Sequence, residues 1–218
     1  MALGRVPLLY STQNSGACVD HRDFPSDMIV ELATTATGDM WLAHHSPRAT
    51  TDTDPPDPDY FSIWSLLLPK TQHGVVRPEL QFVRRSALSH AGERLALIHG
   101  APPVHLSIAN AGTGKILCET EVEIGGAGGQ MTWAPTGELA VVERDRVRIY
   151  SVDLKVLGER ALKCACDVAF SPRGDLIALG SWESGRLGTT CSFVGSASPH
   201  RQRFESWAVS SASHAGSG

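Results

Sequence analysis

The stretch NAGTGKIL, residues 110–117, ends a glycine-containing run in a Gly-Lys pair. That pairing can cradle phosphate, with backbone amides and a lysine turned on one anion. A nucleotide loop requires G-x-x-x-x-G-K-[ST]; here residue 109 is alanine and residue 116 isoleucine, so the first glycine and the magnesium-binding hydroxyl are both missing. The run also leads into ILCETEVEI, a β-type sequence, whereas a phosphate loop leads into a helix whose first amides join the site. A tight turn between two strands, with Gly112 and Gly114 reversing the chain and Lys115 in solvent, is the better reading. The second glycine run, IGGAGGQ at 124–130, departs from G-x-G-x-x-G because residue 131 is methionine, and it reads as a connection between units.

Other chemistry-bearing residues fare similarly. The adjacent histidines His44 and His45 point to opposite faces if they lie in a strand, so they do not share a metal. Asp52, Asp54, Asp57 and Asp59 in TDTDPPDPD lack the glycine and the final glutamate of a calcium loop and read as a solvated acidic loop. GSWESG at 180–185 carries one residue too many for a nucleophile elbow. Glu119 and Glu121 lie two apart and read as an exposed strand edge, and ERDRVR at 143–148 alternates sign as a solvated hairpin does. Of the five cysteines, Cys164 and Cys166 share a face if extended and read as small buried hydrophobes; no C-x-x-C occurs. These spacings specify no catalytic residue, no cofactor-binding residue and no metal ligand, which leans the chain away from being an enzyme.

Composition narrows the class. The chain has 218 residues, 42% of them hydrophobic and 19% charged, with a net charge of −4. It is long enough for a sizeable core and carries no basic excess for nucleic acid. Its apolar runs are far shorter than the ~20 residues of a membrane helix, and the first residues lack the continuous core of a secretion signal. The expectation is a cytoplasmic, soluble chain (the nucleus left open) with no nucleic-acid or membrane partner.

The elements that would position these residues form a repeat. SALSHAGERLALI (86–98), MTWAPTGELAVVE (131–143) and VAFSPRGDLIALG (168–180) align without gaps on Gly92, Gly137 and Gly174, which are 45 and 37 residues apart. Leu88, Trp133 or Phe170 stands four residues before each glycine, an acid follows it, and an apolar stretch comes next. Two antiparallel strands joined by a tight turn fit that pattern. A second landmark aligns FSIWSL, LSIANA and VRIYSV on Ile63, Ile108 and Ile149, with period-two alternation through Phe61, Leu106 and Val147. A fainter turn, TATGDMWLAH at 35–44, precedes Ile63.

A unit of roughly 40–45 residues holding several short strands is the signature of a β-propeller blade. Across about residues 28–185 the chain resembles the WD-repeat family in degenerate form. VAFSPRGDLIALGS resembles that family's second and third blade positions, and VRIYSVDL and FSIWSL its third strand. No Gly-His opens a repeat and no Trp-Asp closes one: Trp64-Ser65, Ala109-Asn110 and Tyr150-Ser151 stand there instead. The resemblance implies an all-β, propeller-like fold of about four blades, 28–70, 80–120, 126–160 and an incomplete 166–193. They follow a lead-in at 1–27, and a flexible tail follows at 194–218. Because the resembled family usually closes with seven blades, four imply an open or small propeller, or part of a larger one. The resemblance implies a non-catalytic protein–protein interaction scaffold with protein partners and no cofactor. The long insert at 44–59 is the candidate partner-specific feature, since insertions in repeats map to a binding face. The alternatives are a ligand-binding or enzymatic propeller using loops at its central channel, and a truncated fragment without activity of its own.

Overall fold

A computed structural model describes residues 8–10, 18–21, 28–35, 40–46, 58–65, 72–125, 129–181, 192–195 and 207–208. Among them the chain is all-β. A two-stranded sheet pairs β1 (Leu8–Tyr10) with β2 (Cys18–His21). Four four-stranded antiparallel meanders follow in chain order. Sheet I holds β3 (Met28–Thr34), β4 (Met40–Ser46), β5 (Tyr60–Ser65) and β6 (Gln72–Val76). Sheet II holds β7 (Arg85–Leu88), β8 (Arg94–His99), β9 (Val104–Asn110) and β10 (Ile116–Val122). Sheet III holds β11 (Met131–Trp133), β12 (Leu139–Val142), β13 (Arg146–Tyr150) and β14 (Val156–Ala161), and sheet IV holds β15 (Ala165–Phe170), β16 (Leu176–Ser181), β17 (Ser192–Gly195) and β18 (Trp207–Ala208). The first strands lie against one another in series, β3 on β7, β7 on β11 and β11 on β15.

The sheets stack face to face, and that explains the strand sequences. One face of sheet II (Leu88, Leu95, Leu97, Ala109) packs on Leu42, Phe61, Ile63 and Val76 of sheet I. Its other face (Ala96, Ile98, Leu106, Ile108) packs on Trp133, Leu139, Val141 and Tyr150 of sheet III. Sheet III in turn meets Val168, Ile177 and Leu179 of sheet IV through Ala140, Val142 and Val147. Strand β8 therefore reads as a continuous apolar run, because water is excluded from both of its faces. The alternation expected for the third strands is present in the sequence, but the intervening positions are buried too: Ser62 and Ser107 are as enclosed as Phe61 and Leu106.

Two local devices recur. The turns between first and second strands are closed by a hydroxyl where one is available. In sheets I, II and IV, Thr35, Ser89 and Ser171 each take a bond on Oγ from the amide five residues on (Met40, Arg94, Leu176) while their own amides donate to that residue's carbonyl. Sheet III has Ala134 at this place, without a hydroxyl, and its turn closes one residue earlier, from the Ala134 amide to the Glu138 carbonyl. Trp133 consequently pairs with Leu139, whereas Leu88 pairs with Leu95 and Phe170 with Ile177. The gap-free alignment on glycine is off by one residue in the second strand of sheet III. The second device is a β-bulge in the outermost strand of sheets I–III, where His73, Leu117 and Leu157 are each the extra residue beside Ile63, Ile108 and Ile149. A bulge there disrupts the ladder on an edge strand and so opposes unwanted edge pairing.

Three boundaries differ from the sequence reading. Phe193 pairs with Trp207 and Ser192 with Ala208, so the fourth sheet runs into the stretch expected to be a tail. Strand β4 extends through Ser46, so the stretch between β4 and β5 is 47–59; its last residue, Asp59, is buried, and 47–57, with Asp52, Asp54 and Asp57, lies outside the described residues. Cys166 does lie in β15, but Cys164 precedes it in a turn with φ +54° and is exposed, not buried.

Candidate functional site

Three groups of residues near the turns between second and third strands hold most of the buried polar chemistry. In sheet I, His44 and His45 face opposite sides as the alternation requires. His44 stacks on Phe61 at 4.9 Å toward sheet II, and His45 stacks on Tyr60 at 4.5 Å on the other face. Arg77 lies over the Tyr60 ring, 4.6 Å from its centroid. Asp59 is not part of a solvated loop: it is buried, 3.6 Å from His44 Nε2, and accepts a 3.0 Å bond from the Val83 amide. Burial holds the His44 pKa below its ordinary value although the Asp59 and Glu31 charges pull the other way.

In sheet II, neighbouring strands bring His99, His105, Ser107 and Glu119 onto the face toward sheet I. His99 Nε2 lies 2.7 Å from Ser107 Oγ, and Ser107 Oγ donates to Glu119 Oε2 at 2.8 Å. His99 Nε2 and His105 Nδ1 lie 3.3 and 3.5 Å from the two Glu119 oxygens. Glu119 and Glu121 are exposed on the outer strand, as expected, and Glu119 is in addition tied into this network. Burial lowers the His99 pKa, against the opposing pull of Glu119. The residue types are those of a hydrolytic triad, but the order is wrong: serine stands between histidine and carboxylate. The serine proton points at Glu119, and Ser107 is fully buried. The arrangement orients and neutralises; it does not activate a nucleophile.

In sheet III the same positions carry other residues. His99 opposite His105, and Leu97 opposite Ser107 opposite Glu119, correspond to Glu143 beside Arg146, and to Val141 opposite Arg148 opposite Glu159. The Glu143 side chain is fully enclosed. It accepts from Tyr150 Oη at 2.5 Å, from Arg146 Nε at 3.0 Å and from Arg148 Nη1 at 3.3 Å. Arg146 also reaches Glu123 at 3.3 Å and Arg148 reaches Glu159 at 3.0 Å. Burial, then the bond to Glu143, drives the Tyr150 pKa well above the ordinary phenol range. Residues 143–146 do turn β12 into β13 with Arg144 and Asp145 exposed, as a solvated hairpin should, but Glu143 at its base is the centre of a buried ion cluster. The available signal was that Arg146 and Arg148 alternate with apolar Val147 and Ile149, one face of a strand packed on both sides.

The turn at 110–115 is closed by its own side chain. Asn110 Oδ1 accepts from the amides of Gly112 and Thr113, at 3.0 and 2.9 Å, and from Thr113 Oγ1. The Gly114 amide donates to the Asn110 carbonyl. These amides are spoken for, Lys115 is exposed, and the hairpin reading of the glycine run stands. The other glycine run links β10 to β11, with 126–128 outside the described residues; GSWESG begins at the end of β16, with 182–190 outside them.

The segment joining sheets I and II, 77–84, contains the most exposed large apolar side chain described, Phe82, 66% accessible. Glu79 and Phe82 both hold positive φ, +57° and +56°. The segment is pinned at Phe82 and the two residues that follow it. Gly100 donates to the Phe82 carbonyl, Val83 to Asp59, and Arg84 Nε to the Gly100 carbonyl. Phe82 therefore stands beside the base of the 47–57 insert and beside the β8–β9 turn, whose Ala101, Pro102 and Pro103 are exposed. No spacing in the sequence pointed to it. Among the described residues no group of three histidine, cysteine or acidic side chains is placed to hold a metal ion, and no helix is long and apolar enough to cross a membrane. No family model matches the sequence, and no curated protein is significantly similar to it.

Proposed function

We propose that this chain is a non-catalytic protein-interaction scaffold, and that sheets I–IV are blades of a WD-like β-propeller or of part of one. Four successive antiparallel meanders with their first strands in series, a recurring hydroxyl-closed turn and a recurring outer-strand bulge support the propeller reading. The interaction reading rests on one observation: Phe82 is two-thirds exposed on a strained backbone that four hydrogen bonds hold at residues 82–84. Strain of this kind costs on the order of 1–3 kcal/mol per residue and clusters where function requires it. An aromatic ring presented without further ordering is a low-entropy anchor for a partner's apolar pocket, and such anchors dominate interface energies. The 47–57 insert, rooted one hydrogen bond away at Asp59, would add partner-specific contacts.

The test is affinity purification with the intact chain, compared with Phe82→Glu and with a variant in which 48–56 is replaced by a short Gly-Ser bridge. Both variants retain the parent unfolding midpoint and lose the retained protein partners. A partner set unchanged in Phe82→Glu, or nothing retained above a bait-free control, overturns the reading.

A further inference from the structure

The first strands of sheets I–III line a groove of about 220 Å³. Its polar lining comes from Glu31 on β3, Arg85 and Ser86 on β7, His90 in the β7–β8 turn, and Gln130 and Thr132 at β11. The carboxylate of Glu31 is already engaged: Oε2 accepts from the Ser86 amide at 2.9 Å and from Ser86 Oγ at 2.8 Å, which ties sheet I to sheet II. Arg85 is different. Its stem packs against Gly129, its Nη1 donates to the Arg84 carbonyl at 3.1 Å, and it forms no ion pair among the described residues. Arg85 Nε is shut off from solvent without an acceptor, and His90 Nδ1 in the same groove is likewise enclosed and unpartnered. A half-buried guanidinium with neither counter-ion nor full hydration is an expensive arrangement unless an anion completes it.

We propose that this groove binds a carboxylate, taken by the Arg85 fork, with His90, Gln130 and Thr132 as the surrounding polar groups. The guanidinium turns its fork on the incoming oxygens, and planar two-point contact favours a carboxylate over a monatomic anion. The volume is below that of a drug-sized pocket and suits one carboxylate group on a short chain. The same chemistry is offered by an acidic side chain of a bound peptide and by a free small dicarboxylate. The site is separate from Phe82, so its fate does not depend on the protein-interaction reading.

Calorimetric titration and amide chemical-shift mapping of the full chain with succinate, with a capped tetra-glutamate peptide and with uncharged succinamide test this. At least one carboxylate probe binds, shifting amides at 85–90 and 130–132, while succinamide does not. Binding by succinate alone assigns a free dicarboxylate, and binding by the peptide alone assigns an acidic segment. Arg85→Gln weakens the binding about tenfold or more, the loss of about 1.4 kcal/mol, and Arg85→Lys, which keeps the charge without the fork, is weakened less. Phe82→Glu binds as the parent does. Absence of binding by either carboxylate at about 10 mM, roughly the range of the weakest useful affinities, overturns the proposal; so does binding unchanged in both Arg85 variants, or shifts confined to other residues.

Discussion

Replacing Glu143 distinguishes the buried cluster from the solvated hairpin its sequence suggests. In Glu143→Ala three donors lose their acceptor: Tyr150 Oη, Arg146 Nε and Arg148 Nη1. Removing one partner of a buried ion pair costs roughly 3–5 kcal/mol. Here the lower end applies. The Arg146 and Arg148 side chains are 31% and 23% exposed, and each keeps a second carboxylate, Glu123 or Glu159. The expected loss is about 3 kcal/mol for Glu143→Ala, and about 2 kcal/mol for Glu143→Gln, which keeps the volume and one neutral acceptor. Tyr150→Phe removes one donor and leaves both arginines on Glu143, for about 1–1.5 kcal/mol. The double variant Glu143→Ala/Tyr150→Phe loses less than the sum of the two, by about 1 kcal/mol, because each change alone already removes the shared bond. Urea unfolding followed by tryptophan fluorescence reads these values as midpoint shifts at constant slope. A Glu143→Gln midpoint within about 0.5 kcal/mol of the parent, the scale of an ordinary surface change, refutes the burial argument.

Two further predictions concern the turn and the histidines. Gly114→Ala meets the Arg77 carbonyl oxygen at 2.9 Å from a backbone with φ +75°, and should cost about 1–3 kcal/mol in urea midpoint, while Gly112→Ala, with only Asn110 Oδ1 at 3.4 Å, should cost less than about 1 kcal/mol. Equal effects at the two glycines would contradict the described hairpin. Burial lowers the folded-state pKa of His44 and His99 from 6.5, so the unfolded chain takes up protons first as pH falls. Their contribution to stability is complete above about pH 6.5 and is lost on acidification until the lowered folded values are reached. His99→Gln should flatten part of that fall in unfolding midpoints measured from pH 7.5 to 5, and a parent midpoint flat across the window would count against it.

The repeat was legible where local chemistry dictates conformation. Gly92, Gly137 and Gly174 take positive φ in their turns, as the alignment on glycine requires, and Ile63, Ile108 and Ile149 all sit beside a bulge at one register. What stayed hidden depends on a third element. Glu143 and Glu119 looked solvated because runs of charge usually are. The burial of Glu143 and the network that holds the exposed Glu119 follow from the strand across the ladder and from the sheet beyond it, which no short window contains. Trp207 could not be read as a strand residue because its pairing partner, Phe193, lies across the stretch VGSASPHRQRFES, which gives no period. Phe82 was invisible for a different reason: its exposure follows from how 77–84 is pinned between Asp59 and Gly100, two residues with no pattern in common.

The two polar clusters explain how such a repeat can lose its sequence likeness and keep its form. At matching ladder positions sheet II holds His99, His105, Ser107 and Glu119, and sheet III holds Glu143, Arg146, Arg148 and Glu159. Two of those four positions differ in chemical class, His99 against Glu143 and Ser107 against Arg148, and the charge on the second strand has reversed from a basic to an acidic type. What both sets share is complementarity across strands: each buried hydrogen-bonding group on the second strand finds its complement on the third, and the third strand is anchored in turn by a carboxylate on the outer strand. A buried polar group is costly unless it is satisfied, so a change at one member of such a pair calls for a matching change at the other. The turn hydroxyls obey the same logic, since Ala134 is accommodated by closing its turn one residue sooner. The fold is held by apolar positions and by satisfied pairs whose members can change together. The exposed Phe82 ring and the enclosed Arg85 Nε without an acceptor are not accounted for by this folding logic, and they are the features proposed for binding.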